Sequence, residues 1–506
     1  MAEHVDDRRR QVVPRWWPYR IAAELGQLDS AAKRRSPGLP DPQPGELEDL
    51  QRDWVSKKNP ASAAGLVDAA LVLGRPSIAV DAAEWLLTNG GLSNVSLSLA
   101  RRVLSPPEAD IAEATSVPSE DERYARVASI RSRLRRFPRN PLLWVELARE
   151  YSALGQAPST RKALLTAIGL APDNRFVLRS ASRFFLHAHD PEQAHSILTR
   201  SAATGGDPWL LAAEIVAAQA RGIPSRLTKR ATLLVHADHF SPRHVSELAS
   251  ALGTLEHQAG NRRRVRKLFS AALEDPTENS VAQAAWLGRH MPGFSVPGSS
   301  LDAPRAFEAR AWEAVQKGEF SEAVACARDW LADEPFATRP ALFGAWVAST
   351  ALGDHSTASK FAKTALIANP GDPRLVADLL YNRASAGDID AAVELLPTLE
   401  RLIGSSDVDR TRAEWDVLLA ADRGLLAYRG GDIQMGREWY RQALGIALDH
   451  GLREFGASAL INFEREEALA SPSPRPNVKA LQGAIDAFPP PSRGAVSSFV
   501  QRIVAK

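Results

Sequence analysis

Apolar residues recur along most of this chain at three- and four-residue intervals, in runs that end at glycine or proline. In NPLLWVELAREYSALGQAPSTRKALLTAIGLAPDN, residues 140–174, Trp144, Leu147, Ala148 and Tyr151 share one face of a helix. A turn follows at Gly155, and Leu164 and Ala167 then lie on one face of a second helix that stops by Pro172, where the ring cannot continue it. Sustained period-two alternation, the mark of a half-buried strand, is missing throughout. The pattern predicts an all-α chain built from helix–turn–helix pairs.

The pairs repeat. PRAFEARAWEAVQKGEFSEAVACARDWLADEPFAT places Ala311, Gly318, Ala323 and Pro335 where RPALFGAWVASTALGDHSTASKFAKTALIANPGD places Gly353, Ala358, Ala365 and Pro370 in the next copy. PRLVADLLYNRASAGDIDAAVELLPTLERLIGSS follows with a turn at Gly387 and Ala392 in the small position. Gly318, Gly353 and Gly387 stand 35 and 34 residues apart. Weaker copies carry Leu252, Gly253, Gly260, Phe269 and Ala272, or Gly424, Gly436 and Ala443, in phase; 175–207 and 208–245 keep part of the pattern. A degenerate unit near the start turns at Gly74.

This spacing resembles the tetratricopeptide repeat over about residues 60–470, most specifically over 304–406. The resemblance implies a helical-hairpin repeat solenoid, a right-handed superhelix whose concave groove is lined by the first helix of each pair. Each hairpin leaves an apolar face uncovered, so stability requires stacking on neighbours. Carried over position by position, the groove-facing places fall on Arg149, Arg179 and Arg183 in one block and on Trp312, Phe343, Tyr381 and Tyr428 in another. The asparagines and lysines with which chaperone-binding members clamp a terminal carboxylate are absent in this arrangement.

The chain divides by composition into an N-terminal arm and linker (1–59), degenerate helical repeats (60–140), a first block (141–290), a loop (291–303), a second block (304–470) and a C-terminal linker with capping helices (471–506). The arm holds RRSPGLPDPQPGE, read as extended linker, and PRWWPYR. Trp16 and Trp17 have the composition of interface anchors and equally of a segment that docks on the chain's own first helices.

At 506 residues the chain exceeds the size of one growing core, which a repeat array accommodates. A formal charge of +2 creates no global field toward nucleic acid or membrane. Four basic clusters, Arg8 to Arg10, Lys33 to Arg35, Arg131 to Arg136 and Arg262 to Lys267, are local phosphate-binding candidates, with solvated helix surface as the plainer reading. The sole cysteine, Cys326, allows no disulfide within the chain, and its place among small helix positions reads as packing. His187, His189 and His195 are expected in solvent around an interhelical turn, without metal-ligand spacing. No Walker loop and no GxSxG elbow occurs. Neither a leader pattern nor an apolar run long enough to span a membrane is present, so a cytoplasmic location is expected.

The expectation is a non-catalytic scaffold or adaptor, without cofactor or metal, that binds a partner protein or peptide in its groove. Its expected setting is a bacterial regulatory or defence complex. The rivals are a nucleic-acid-binding helical-repeat protein and the regulatory subunit of a separately encoded enzyme.

Overall fold

A computed structural model describes residues 13–24, 44–72, 76–89, 94–104, 118–237, 240–405, 411–471 and 476–505. Among them every regular element is helical. The all-α fold and the hairpin repeats that the periodicity predicts are therefore what the chain forms. Two compact units result: residues 30–116, and residues 1–29 together with 117–506. This division differs from the compositional one, because Val13 to Glu24 of the expected arm packs within the larger unit. Gly74, most of the proline-rich linker and the clusters Arg8 to Arg10 and Lys33 to Arg35 lie outside the described residues.

The larger unit opens with α1 (Tyr19–Glu24). The smaller unit consists of α2 (Pro44–Lys57), α3 (Pro60–Val72), a 3₁₀ turn (Pro76–Ala79), α4 (Val80–Thr88) and α5 (Asn94–Leu104). It closes on its own core of Leu47, Trp54, Leu66, Leu86 and Ala100. The Trp54 and Trp85 rings meet edge to face at 5.6 Å there.

The larger unit resumes with α6 (Glu120–Arg136), started by a capping box in which Ser119 and Glu122 each accept the other's backbone N–H. Hairpins follow: α7 (Pro141–Ala153) with α8 (Ala157–Leu170), α9 (Arg175–His187) with α10 (Pro191–Arg200), α11 (Pro208–Ala220) with α12 (Thr228–Val235), and α13 (Pro242–Gln258) with α14 (Arg262–Ala272). Next come α15 (Glu278–His290), α16 (Phe307–Lys317) with α17 (Phe320–Asp333), and α18 (Arg339–Trp346), which runs on as a π-helical segment (Val347–Leu352) before α19 (His355–Ala368). The array ends with α20 (Pro373–Ala386), α21 (Ile389–Val393), α22 (Leu396–Ser405), α23 (Arg412–Arg429), α24 (Ile433–Asp449), α25 (Arg453–Ala470), α26 (Val478–Ile485) and α27 (Pro490–Val504).

Local chemistry sets these boundaries. Asn140, Asn174, Asp190, Asp207, Asp372 and Asp432 each accept a backbone N–H of the helix they precede, and proline often takes the first helical place, where its missing N–H costs nothing. Gly318, Gly353 and Gly387 end their helices at φ 77°, 70° and 91°, a left-handed conformation that only glycine adopts freely.

The small positions work as the repeat predicts. A Cβ on Gly253, Gly344 or Gly424 would lie 2.6–2.8 Å from the ring of Phe269, Phe361 or Tyr440 on the second helix of the same pair. Ala358 is fully buried. Packing continues through 291–303, where Val296, Leu301 and Ala303 cover Val281, Ala306 and Ala309 between α15 and α16. At the C-terminus Leu481, Phe488, Val496 and Val500 cover Ala457 and Ile461, while Arg502 donates to the carbonyls of Thr350 and Ala351 at the end of the π-helical segment.

Candidate functional site

Pro14 and Pro18 lack the backbone N–H that a helix needs and push the residue before each toward extended backbone, so Val13 to Pro18 enters the larger unit as a non-helical segment. It runs among residues from successive first helices. Asn279, near the start of α15, donates its side-chain amide to the Val13 carbonyl at 2.8 Å. Arg149 of α7 donates Nε to the Trp16 carbonyl at 3.2 Å and Nη2 to the Asp333 carbonyl at 2.9 Å. One guanidinium thus ties the segment, the first hairpin and the end of α17 together.

Side chains add the specificity. Arg15 pairs with Glu334 and, at 3.3 Å, with Glu308 of α16. Trp16, with no exposed surface, meets Phe336 at 5.3 Å and Phe184 at 6.4 Å. Trp17 lies under the Arg179 guanidinium at 5.8 Å, and the same group covers Trp209 at 4.5 Å while donating to Glu247 at 2.8 Å. Arg183 reaches Glu334 at 3.4 Å over the Phe336 ring. Tyr19, at the start of α1, donates its backbone N–H to Glu146.

The electrostatics follow from burial. Desolvation works against the Arg15 charge, but Glu334 and Glu308 outweigh it and hold its pKa above the ordinary value. Burial likewise works against the Glu334 charge, and Arg15 with Arg183 overcomes it, so this carboxyl stays below the usual range. Glu278 lacks such pairing: burial pushes its pKa up to about 8 against the pull of Arg15. Several buried polar atoms here find no protein partner, namely the indole N–H groups of Trp16 and Trp17, Nε and Nη1 of Arg179, and one carboxylate oxygen each of Glu247 and Glu278.

The structure brings together five of the residues singled out in the sequence: Arg149, Arg179 and Arg183 by position in the repeat, and Trp16 and Trp17 by composition. The other four lie elsewhere in the larger unit. Trp312 and Phe343 meet at 4.9 Å within the core of α16 to α19. The Tyr381 hydroxyl donates to Asn462 at 2.8 Å and accepts from Arg465 at 2.8 Å. The Tyr428 hydroxyl donates to Glu467, and its ring lies 5.9 Å from that of Tyr440. All four are buried under the chain's own residues. Arg15, Asn279, Glu308, Glu334 and Phe336 carry no signal in a single sequence, since nothing in Glu334, a residue before a proline turn, points to residue 15.

Cys326 is buried, and burial together with Glu322 pushes its thiol up to about 12. His187 differs from the expectation of solvent: it packs edge-on to Phe336 at 5.5 Å, and burial pushes its pKa down to about 3. His195 bridges Glu214 at 3.1 Å and Arg221 at 2.9 Å. Among the described residues no group of three or more metal-ligating side chains comes together, and no helix is long and apolar enough to cross a membrane. Arg262, Arg263, Arg264, Arg266 and Lys267 are exposed on α14 above buried Val265, Leu268 and Phe269. Arg131, Arg133, Arg135 and Arg136 are exposed on α6.

No family model and no curated protein sequence matches this chain. Among solved structures it is similar to a chain of the APC/C hetero-tetramer Cut9–Hcn1, at 12% identity over 91% of this chain and 92% of that one, with a TM-score of 0.34. It is also similar to yeast Tom70, at 11% identity over 88% and 95%, with a TM-score of 0.31. The order, caps and packing of its helices make this chain an all-α array of helical-hairpin repeats with tetratricopeptide-like spacing.

Proposed function

We propose that this protein is a non-catalytic scaffold that holds an extended segment of a partner protein against the first helices of its repeats. The observation that supports this is the seating of Val13 to Pro18, where Arg149 and Asn279 grip main-chain carbonyls while side-chain pockets take an arginine and two indoles. Main-chain contacts give affinity to any extended peptide, and the pockets give selection. Arg149, Arg179 and Arg183, with Trp16 and Trp17, are assigned to this interior. Trp312, Phe343, Tyr381 and Tyr428 serve as rigid backing that a partner reaches only by displacing the residues that cover them.

The lone cysteine of a long chain supports a reducing, cytoplasmic compartment. A bacterial regulatory or defence complex is the proposed setting. Affinity purification of the full-length protein from its native host, with identification of the co-purifying chains, tests the reading. A protein partner retained across a salt series supports it. Recovery of nucleic acid alone, lost along a steep logarithmic salt slope, assigns the exposed arginines of α6 and α14 to phosphates and overturns it.

A further inference from the structure

We infer that Val13 to Pro18 is an intramolecular occupant of a peptide site, and that the ligand it excludes is a partner segment of the same chemistry: extended, proline-flanked, with an arginine followed by two large aromatic residues. This deepens the scaffold reading and rests on it.

Three features argue for a ligand site over a core that merely includes the N-terminus. The segment has no regular structure of its own and is held by donors to its carbonyls, the way a peptide is held in a groove. Its charge answers the site: Arg15 enters a place walled by Glu308 and Glu334, and nothing else on the segment is charged before Arg20. Third, the fit is incomplete. The indoles of Trp16 and Trp17 are buried without acceptors, and Arg179, beside Trp17, keeps two donor nitrogens unpaired. Such a fit suffices for a tethered occupant, which needs only moderate affinity because its effective concentration is high. A partner that supplies acceptors near Trp17's place, or phenyl rings in place of indoles, competes successfully.

The probe is a labelled synthetic peptide, VPRWWPYR, titrated against the full-length protein and against the full-length double variant Trp16→Ala, Trp17→Ala. The variant should bind the peptide about tenfold or more tighter than the wild type, since its site is no longer occupied. Adding Glu308→Gln and Glu334→Gln to the double variant, or replacing by glutamate the peptide's first arginine, the counterpart of Arg15, should weaken binding about tenfold or more by removing a desolvated charge pair. A folded double variant that binds no better than the wild type overturns the proposal.

Should that variant lose its helical circular dichroism, hydrogen exchange on the wild type decides. Amides of residues 13–24 should exchange faster than those of α9 and α11, and faster again with excess peptide. Protection equal to those helices and unmoved by peptide marks a structural plug and overturns the proposal. Sedimentation should show wild-type monomers, and dimers joined by exchanged N-termini would overturn the choice of a partner protein as the source. The two readings fail separately: a captured partner that VPRWWPYR does not displace leaves the scaffold standing and removes this inference, whereas a purification without protein partners removes the scaffold.

Discussion

Arg15 and Glu334 stand 319 residues apart in the chain and form a buried ion pair, with the indole of Trp330 donating to the same carboxylate at 3.1 Å. A pair of this kind adds less net stability than its Coulomb energy suggests, because both charges lose their water. It penalises heavily any arrangement in which one partner is missing, and so fixes where the segment sits.

Arg15→Met should therefore destabilise the larger unit by about 3–5 kcal/mol, because Glu308 and Glu334 remain buried with less positive charge nearby. Arg15→Lys, which keeps the charge and loses the planar fork, should fall between that variant and the wild type. Urea unfolding followed by circular dichroism measures both. Equal midpoints for Arg15→Met and the wild type would show the segment to be unseated in solution.

Burial of Glu278 makes stability depend on pH between about 4.5 and 8. Its carboxyl is pushed up to about 8 by burial in the folded protein, so between its ordinary value of 4.5 and about 8 the folded state holds a proton that the unfolded state has lost. Stability consequently falls as pH rises through this window, by roughly 1.4 kcal/mol for each pH unit, and levels off above it. Glu278→Gln removes that slope. The difference between the two stability–pH curves should be flat below about pH 4.5 and above about pH 8.

Two histidines set the acid limb. Burial, aided by Arg183, pushes His187 down to about 3, and burial pushes His355 down to about 4 despite its hydrogen bond with Asn382. Below pH 6.5 the unfolded chain takes up protons that these folded rings refuse, so stability falls on acidification from 6.5 toward their folded pKa values. His187→Phe should flatten the acid limb, and nuclear magnetic resonance titration of the His187 ring should show it neutral at pH 5.

Glycines on first helices should behave differently from those in open space. Gly344→Ala and Gly424→Ala place a methyl group against Phe361 and Tyr440 and should cost about 1–3 kcal/mol. Gly483→Ala in α26 meets nothing within 4 Å and should be neutral or stabilising by up to about 1 kcal/mol. Thermal melts of the three variants check the contrast. Ala358→Trp, at a fully buried small position of the repeat, belongs with the destabilising pair.

Replacing Arg262, Arg263 and Arg264 together by alanine should change stability by no more than about 0.5 kcal/mol, since all three are exposed and the pair of Arg264 with Glu256 at 2.9 Å is a surface one. The same variant should keep any protein partner. Loss of binding would move the functional surface from the interior to α14.

The helices, their ends and the small positions were legible in the sequence because they depend on residues three, four or a few turns apart. Leu164 and Ala167 could be placed on one face, Gly353 in its turn and Ala358 under its neighbour without knowing where any other hairpin lay. The aromatic positions Trp312, Phe343, Tyr381 and Tyr428 were assigned by place within a repeat, but whether such a face stays open depends on what covers it. Here Asn462 and Arg465 from α25 meet Tyr381, and the rings of Trp346 and Phe343 enclose Trp312.

The choice left open for Trp16 and Trp17 was likewise decided only in three dimensions. Arg149 reaches Asp333 across 184 residues and Arg15 finds Glu334, contacts that no pattern of three- and four-residue spacing can register. Local periodicity by itself determined the repeating hairpin. Packing between hairpins far apart in the sequence, which no single repeat encodes, decided that Val13 to Pro18 would lie buried among Arg149, Asn279, Glu308 and Glu334.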